Sequence, residues 1–96
     1  MRADYDSRAD ALLIVLRDFK HLDVEEQVDD DYCNVGLIRD FPVQVELIGP
    51  RVHLDLLSVA AERYDLDAAA LTAAALAALA APDRAVTLDV AASVTA

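Results

Sequence analysis

The chain has 96 residues, a length that favours one small domain and argues against a two-domain enzyme. Hydrophobic residues make up 56% of the sequence, too many for intrinsic disorder, although alanine accounts for 19 of the 96 positions. The formal net charge of −10 disfavours nucleic acid as a partner, because an acidic surface repels a phosphate backbone.

The first part of the chain shows the two-residue alternation of β-strands. Residues 2–5 form a short candidate strand, and residues 11–17 form a longer one. Leu13 and Val15 would lie on one face of this longer strand, and both are apolar. Apolar residues on both faces are typical of a central strand that is covered on both sides. The face expected to meet the main core carries Leu12, Ile14 and Leu16.

An acidic stretch and a predicted hairpin follow. Residues 18–31 are rich in aspartate and glutamate, which predicts a solvated loop with a short strand around residues 24–28. Residues 32–38 and residues 43–47 then alternate as two strands that would pair as a hairpin. The Gly-Pro pair at residues 49–50 is the strongest break in the chain.

Beyond that break the apolar period lengthens to about 3.6 residues, which predicts two helices. The first covers residues 55–64, with Asp55 in the N-cap position, and the second covers residues 68–81. Residues 65–67 form the turn between them, and Asp67 can cap the second helix. A last short strand is predicted over residues 86–90, and residues 91–96 are expected to fray.

These elements predict an α+β fold. We expect a small, mostly antiparallel sheet of about four to five strands, with two C-terminal helices packed on one face and a short final strand. The chain is expected to be a single domain over residues 1–96, in which residues 1–49 are β-rich and residues 50–96 hold the helical pair and the final strand.

The run from Tyr5 to Leu16, with its Tyr-Asp pair, polar turn and Ala-Asp-Ala-Leu block, resembles the opening of a family of small bacterial proteins, domain of unknown function 2283. Residues 25–31 are similar to that family's acidic entry to its second hairpin, and residues 43–48 to its closing strand. The resemblance covers about the first half of the chain and implies a small antiparallel sheet. The sequence Arg-Asp-Phe-Pro at residues 39–42 departs from the family's glycine-containing turn. The family's function is not established, and an antitoxin-like role is one hypothesis that it suggests.

No constellation of residues points to catalysis or to a metal. His21, Cys33 and His53 are widely separated and lack metal-ligand spacing. The three aspartates at residues 29–31 lack the glycine that a calcium loop needs at its sharp turn. Two glycines in the whole chain are too few for a phosphate-binding loop. We therefore expect no enzyme, no cofactor and no metal site.

The sequence also predicts where the protein acts. No apolar stretch reaches the roughly 18 residues that a membrane span needs, and the N-terminus lacks the apolar run of a signal peptide. The single cysteine, Cys33, cannot form an intramolecular disulfide, which suits a reducing compartment. We expect a cytoplasmic protein that does not associate with membranes.

The leading functional hypothesis is a non-catalytic protein-interaction module, antitoxin-like in the sense above, whose acidic surface binds a basic protein partner. Electrostatic complementarity of this kind mainly speeds encounter and sets specificity. The alternative is that the negative charge only keeps the protein soluble. The acidic surface is predicted to comprise Glu25, Glu26, Asp29, Asp30 and Asp31.

The alanine-rich helix suggests a second hypothesis, a self-assembling, homodimeric structural protein. No charged residue occurs between Asp67 and Asp83, and small side chains allow two helices to approach closely. The alternative is that alanine is simply a strong helix former.

The same helix also argues against DNA binding, because it has no Arg, Lys, Asn or Gln to contact the bases. A helical wheel turns Leu71, Ala75, Leu76 and Leu79 toward the sheet. The opposite side, which includes Ala70, carries the predicted interaction face: Ala69, Ala73, Ala77 and Ala80.

A third functional hypothesis is that the protein is a small domain that binds a cation or another ligand.

Overall fold

A computed structural model of the chain describes residues 1–89 and has the α+β fold that the sequence predicts. The predicted strand residue Val90 and the predicted frayed tail, residues 91–96, lie outside the described residues. The strands of the described range are β1 (Arg2–Asp6), β2 (Ala11–Val15), β3 (Val24–Asp29), β4 (Cys33–Ile38), β5 (Phe41–Ile48) and β6 (Ala85–Thr87). Its helices are α1 (Pro50–His53), α2 (Leu56–Tyr64) and α3 (Ala68–Ala80).

The strands form one six-stranded sheet in the order β3-β4-β5-β2-β1-β6, and every neighbouring pair is antiparallel. Strand β2 lies between β5 and β1, as the apolar residues on both of its faces predict. Strands β3 and β6 are the two edges of the sheet. Consequently the acidic stretch of the sequence lies along a sheet edge.

The turn between β4 and β5 consists of Arg39 and Asp40, whose φ angles are 51° and 68°. Positive φ at both central residues is the geometry of a type I′ hairpin turn, whose twist matches that of the flanking strands. Pro42 then lies within β5, opposite Leu37, where the pairing register shifts. Proline has no N–H to donate to a ladder, so an irregular position of this kind tolerates it.

The main core lies between the sheet and the helices. Truncating any of its large side chains would leave a cavity, because side chains from both layers are fully enclosed. The strands contribute residues at alternate positions: Ala3, Tyr5, Leu12, Ile14, Cys33, Val35, Leu37, Val45 and Leu47. The helices and their connection contribute Leu57, Ala60, Ala61, Leu66, Leu71, Ala74, Ala75 and Ala78.

Aspartates lie at the ends of the helices, as the sequence predicts. Asp65 ends α2 with a positive φ of 55°, and the carboxylate of Asp67 accepts a hydrogen bond of 3.1 Å from the N–H of Ala70, which caps α3. Asp55 occupies the N-cap position of α2 but its side chain makes no capping hydrogen bond. The short helix α1 was not predicted and begins with Pro50, whose fixed φ suits a first helical position.

The second face of the sheet, opposite the helices, carries Leu13 and Val15 as predicted. Val15 is only 7% exposed and is flanked by Arg2 and Gln44 on the neighbouring strands. The segment that joins β2 to β3 adds further cover to this face, because the δ-carbons of Leu22 would lie 2.8 Å from a Cβ added to Gly36. Leu22 therefore provides part of the cover that the helices do not.

Candidate protein-interaction surface

The five predicted acidic residues lie together on β3 and on the turn that follows it. Glu25, Glu26, Asp30 and Asp31 are exposed, and Asp29 is half-buried. We refer to these five residues as the acidic edge, because within residues 1–89 β3 pairs with β4 alone and ends the sheet on this side. The strand thus presents carboxylates to solvent along one border of the molecule.

Two of these carboxylates also have structural roles. Oε1 of Glu26 accepts a hydrogen bond of 2.6 Å from the Tyr64 hydroxyl of α2. Oδ1 of Asp29 accepts hydrogen bonds from the N–H groups of Asp31, at 3.0 Å, and Tyr32, at 3.1 Å, and so shapes the turn. Burial, together with the hydrogen bond to Glu26, raises the pKa of Tyr64 to about 12, so its hydroxyl stays protonated as the donor.

The acidic edge lacks basic counterparts at contact distance. Within residues 1–89, the ion pair joins Arg2 to Asp18 at 3.5 Å, away from this edge, and residues 90–96 contain no basic residue. Arg63 lies beside β3, but its guanidinium donates to the main-chain oxygen of Gln27, at 3.1 Å, rather than to a carboxylate. The charge of the acidic edge is therefore available to a partner.

The backbone of this edge is less available than its side chains. The pairing of β3 with β4 is irregular between Gln27 and Asp29, and the oxygen of Gln27 is occupied by Arg63. A bulge, charged side chains and a covered carbonyl are devices that discourage another strand from pairing with an edge. Recognition at β3 is therefore best suited to side-chain contacts.

An open groove adjoins the beginning of β3. Its volume is about 540 Å³, and its lining includes Phe19 and Leu22, which are half-buried. The carboxylate of Asp23 is engaged, because Oδ2 accepts a hydrogen bond of 2.8 Å from the N–H of Arg39. The groove was not anticipated from the sequence, since residues 18–23 were predicted to belong to a solvated loop. The groove is lined by Phe19, His21, Leu22, Asp23, Val24 and Glu25.

A second, smaller cavity of about 250 Å³ lies near the other edge of the sheet. It includes the ion pair of Arg2 and Asp18, together with Arg17. Arg2 and Asp18 offset one another, so the side chains of its lining carry one positive charge in excess, that of Arg17. Its other lining residues are Met1, Val15, Leu16 and Thr87.

The predicted face of the alanine-rich helix is largely exposed. Ala69, Ala73 and Ala80 are exposed and Ala77 is half-buried. The prediction that Leu76 packs on the sheet is wrong, because Leu76 is 53% exposed, and Ala70, predicted to face outward, is buried. The helix lies against β1 and β2 through small side chains, and this close approach turns Leu76 outward. The residues buried on its sheet side are Ala70, Leu71, Ala74, Ala75 and Ala78.

A polar cluster at the end of β1 was missed in the sequence. The Tyr5 hydroxyl donates a hydrogen bond of 2.6 Å to Oδ1 of Asp10 and accepts one of 3.1 Å from Arg51. The Arg51 guanidinium carbon also lies 5.1 Å from the centroid of the Tyr5 ring. The hydrogen bond to Asp10, with some burial, raises the pKa of Tyr5. The three side chains satisfy one another, so they brace β1, the β1–β2 turn and α1 together.

The residues considered for metal binding or nucleophilic chemistry lie in three different environments. Cys33 is 2% exposed in the main core, and burial raises the pKa of its thiol to about 11, which leaves it protonated near neutral pH. The His53 ring stacks on Tyr32 with centroids 3.8 Å apart, while His21 lies in the groove. Residues 1–89 contain no group of three or more His, Cys, Asp or Glu side chains that could hold a metal ion.

Comparison with known proteins adds no relative: no family model, no curated protein and no solved structure matches this chain. The resemblance of residues 5–16 to domain of unknown function 2283 therefore stays a prediction. In the part of the chain that the structure describes, no helix is both long and apolar enough to cross a membrane.

Proposed function

We propose that this protein is a non-catalytic, cytoplasmic interaction module that binds a basic protein partner through the acidic edge. The observation that carries the proposal is that, within residues 1–89, the oxygens of these five carboxylates have no basic side-chain nitrogen within 4.0 Å. Opposite charges across an interface increase the association rate and exclude partners of the wrong charge. A small basic toxin is the kind of partner that the resemblance to domain of unknown function 2283 suggests.

The protein's overall charge does not by itself single out this surface, so the test must compare surfaces of equal charge. An edge variant would carry Glu25→Gln, Asp30→Asn and Asp31→Asn. A control variant would carry three equivalent changes at exposed residues elsewhere, Asp40→Asn, Asp55→Asn and Asp89→Asn. Both variants lose the same charge, and only the first changes the acidic edge.

The experiment uses immobilised protein to capture partners from a host lysate at about 50 mM salt, followed by binding measurements with the purified partner. A basic partner should bind the wild type and the control variant with similar affinity and bind the edge variant more weakly. Higher salt should weaken the binding. Equal binding by the edge and control variants, or capture of no basic protein at low salt, would contradict the proposal.

A specific observation favours one further function, self-association through α3. Leu76 is 53% exposed in the middle of a helix face whose other exposed residues are Ala69, Ala73 and Ala80. An exposed leucine among alanines gives this face an apolar centre that a second copy could bury in a twofold dimer. Self-association of this kind would leave the acidic edge on β3, at the border of the sheet, free for another partner.

A further inference from the structure

The groove beside β3 is held in place by packing. Leu22 lies over Gly36, where an added Cβ would be 2.8 Å from the leucine δ-carbons. Leu22 can therefore pack here only because Gly36 has no side chain. Leu22 and Phe19 are half-buried, whereas Glu25 of β3 is exposed. The groove therefore combines an apolar wall with a strand carboxylate that is open to solvent.

The charges around the groove are unevenly distributed. On the β3 side, Glu25 lines the groove, Glu26 bonds to Tyr64 of α2, and the three aspartates follow at the end of β3 and in its turn. The other carboxylate in the lining, that of Asp23, already accepts a hydrogen bond from the N–H of Arg39. Basic groups of a ligand are therefore favoured in the direction of Glu25 and the end of β3.

The length of β3 sets the length of such a ligand. The five steps from Val24 to Asp29 span roughly 17 Å at about 3.3 Å per residue. An extended peptide that begins in the groove would reach the turn carrying Asp30 and Asp31 after about five or six residues. The contacts would be made by side chains, because Arg63 occupies the oxygen of Gln27 and the edge is irregular there.

We infer that the groove binds one apolar anchor side chain of the basic partner, and that about five basic residues next to this anchor lie along the acidic edge. The inference rests on the proposed function and adds a sequence pattern to it: an extended segment with an apolar residue at one end of a basic run. Charge complementarity selects this occupant, since an acidic or neutral segment would gain nothing from Glu25 and the carboxylates beyond it.

The test titrates isotope-labelled protein with synthetic peptides and follows the backbone amide resonances at low salt. One pair of peptides has a leucine before or after five lysines, and a second pair has alanine in place of the leucine. The better leucine peptide should shift resonances of residues 19–25 as well as those of the acidic edge. It should bind about tenfold more tightly than its alanine counterpart, which reflects partial burial of the larger side chain.

Matched variants locate the anchor. Phe19→Ala shortens a half-buried apolar side chain that lines the groove, and Val52→Ala shortens one that is 78% exposed on α1 and outside this lining. The amide spectrum of each free variant checks that the fold is kept. Phe19→Ala should lower the affinity for the leucine peptide toward that for the alanine peptide, whereas Val52→Ala should leave it unchanged.

The outcomes separate this inference from the proposed function. If leucine and alanine peptides bind equally and shift only the acidic-edge resonances, the groove does not take an anchor, although the acidic edge still binds basic segments. If no lysine peptide shifts the acidic-edge resonances at all, the proposed function fails together with the inference. Equal effects of Phe19→Ala and Val52→Ala would also overturn the inference.

Discussion

The Tyr64 hydroxyl donates a hydrogen bond of 2.6 Å to Oε1 of Glu26 and thereby joins helix α2 to the edge strand β3. Edge strands have a partner on one side only, so a contact from a helix helps to hold them in register. The same helix provides Arg63, which bonds to the oxygen of Gln27 one residue further along β3. The acidic edge is therefore positioned by two adjacent side chains of α2.

We expect Tyr64→Phe to lower the free energy of unfolding by about 1 kcal/mol at neutral pH, because one hydrogen bond between α2 and β3 is lost. The raised pKa means that the folded state favours the protonated phenol. The stability that the Tyr64 hydroxyl adds to the fold is therefore complete below the ordinary tyrosine pKa of about 10. It is lost as pH rises from there toward about 12. Urea unfolding at neutral and alkaline pH measures the effect.

Tyr32→Phe serves as the control, because no hydrogen bond from the Tyr32 hydroxyl occurs within the described part of the chain. The difference in stability between the wild type and Tyr64→Phe should shrink as pH rises, whereas Tyr32→Phe should show no such trend. A difference that stays constant from neutral to strongly alkaline pH would show that the hydrogen bond does not stabilise the fold.

The central position of β2 leads to a prediction about the core. Ile14 is 0% exposed between the sheet and the helices, so Ile14→Ala should lower the free energy of unfolding by about 2–5 kcal/mol. Leu13→Ala, on the neighbouring half-buried position of the opposite face, should cost less. Urea denaturation of both variants measures the difference. Equal losses would mean that the second face of the sheet is as tightly packed as the first.

Local patterns in the sequence predict most of the fold. Alternation identifies the strands, and apolar residues on both faces of β2 indicate its central place in the sheet. Asp67 before the alanine-rich run marks the start of α3, where its carboxylate does cap the helix. These features depend on neighbouring residues, which a single sequence displays directly.

Features that depend on tertiary packing could not be predicted in the same way. The wheel for α3 placed Leu76 inside because leucine is more hydrophobic than alanine, but the sheet approaches the helix on the side of Ala74 and Ala78. The bond between Arg51 and Tyr5 joins residues 46 positions apart. For the candidate surface, the acidic residues were visible in the sequence. The groove was not, because it forms only when residues 16–23 cross to the edge strand.

The buried thiol of Cys33 should react slowly with alkylating agents. Burial raises its pKa to about 11, so the thiolate that reacts is scarce at about pH 8, and the side chain is also only 2% exposed. We expect iodoacetamide to label the protein in concentrated urea but not in its native state, as measured by mass spectrometry. Rapid labelling of the folded protein would place Cys33 at an accessible site.

The exposed face of α3 provides the test of self-association. If a second copy covers this face, the wild type should have a dimer's mass by light scattering, and Leu76→Glu should give a monomer because a charge would be forced into an apolar contact. Val59→Glu is the matched control, since Val59 is a 39% exposed apolar residue of α2 and lies outside the α3 face. This control variant should keep the dimer mass. Leu76→Glu should also melt at a lower temperature than the control, because dissociation removes the stabilisation that binding gives to the folded state. A monomeric wild type at the highest attainable concentration, with both variants melting alike, would show that the exposed alanines of this face serve only to form the helix.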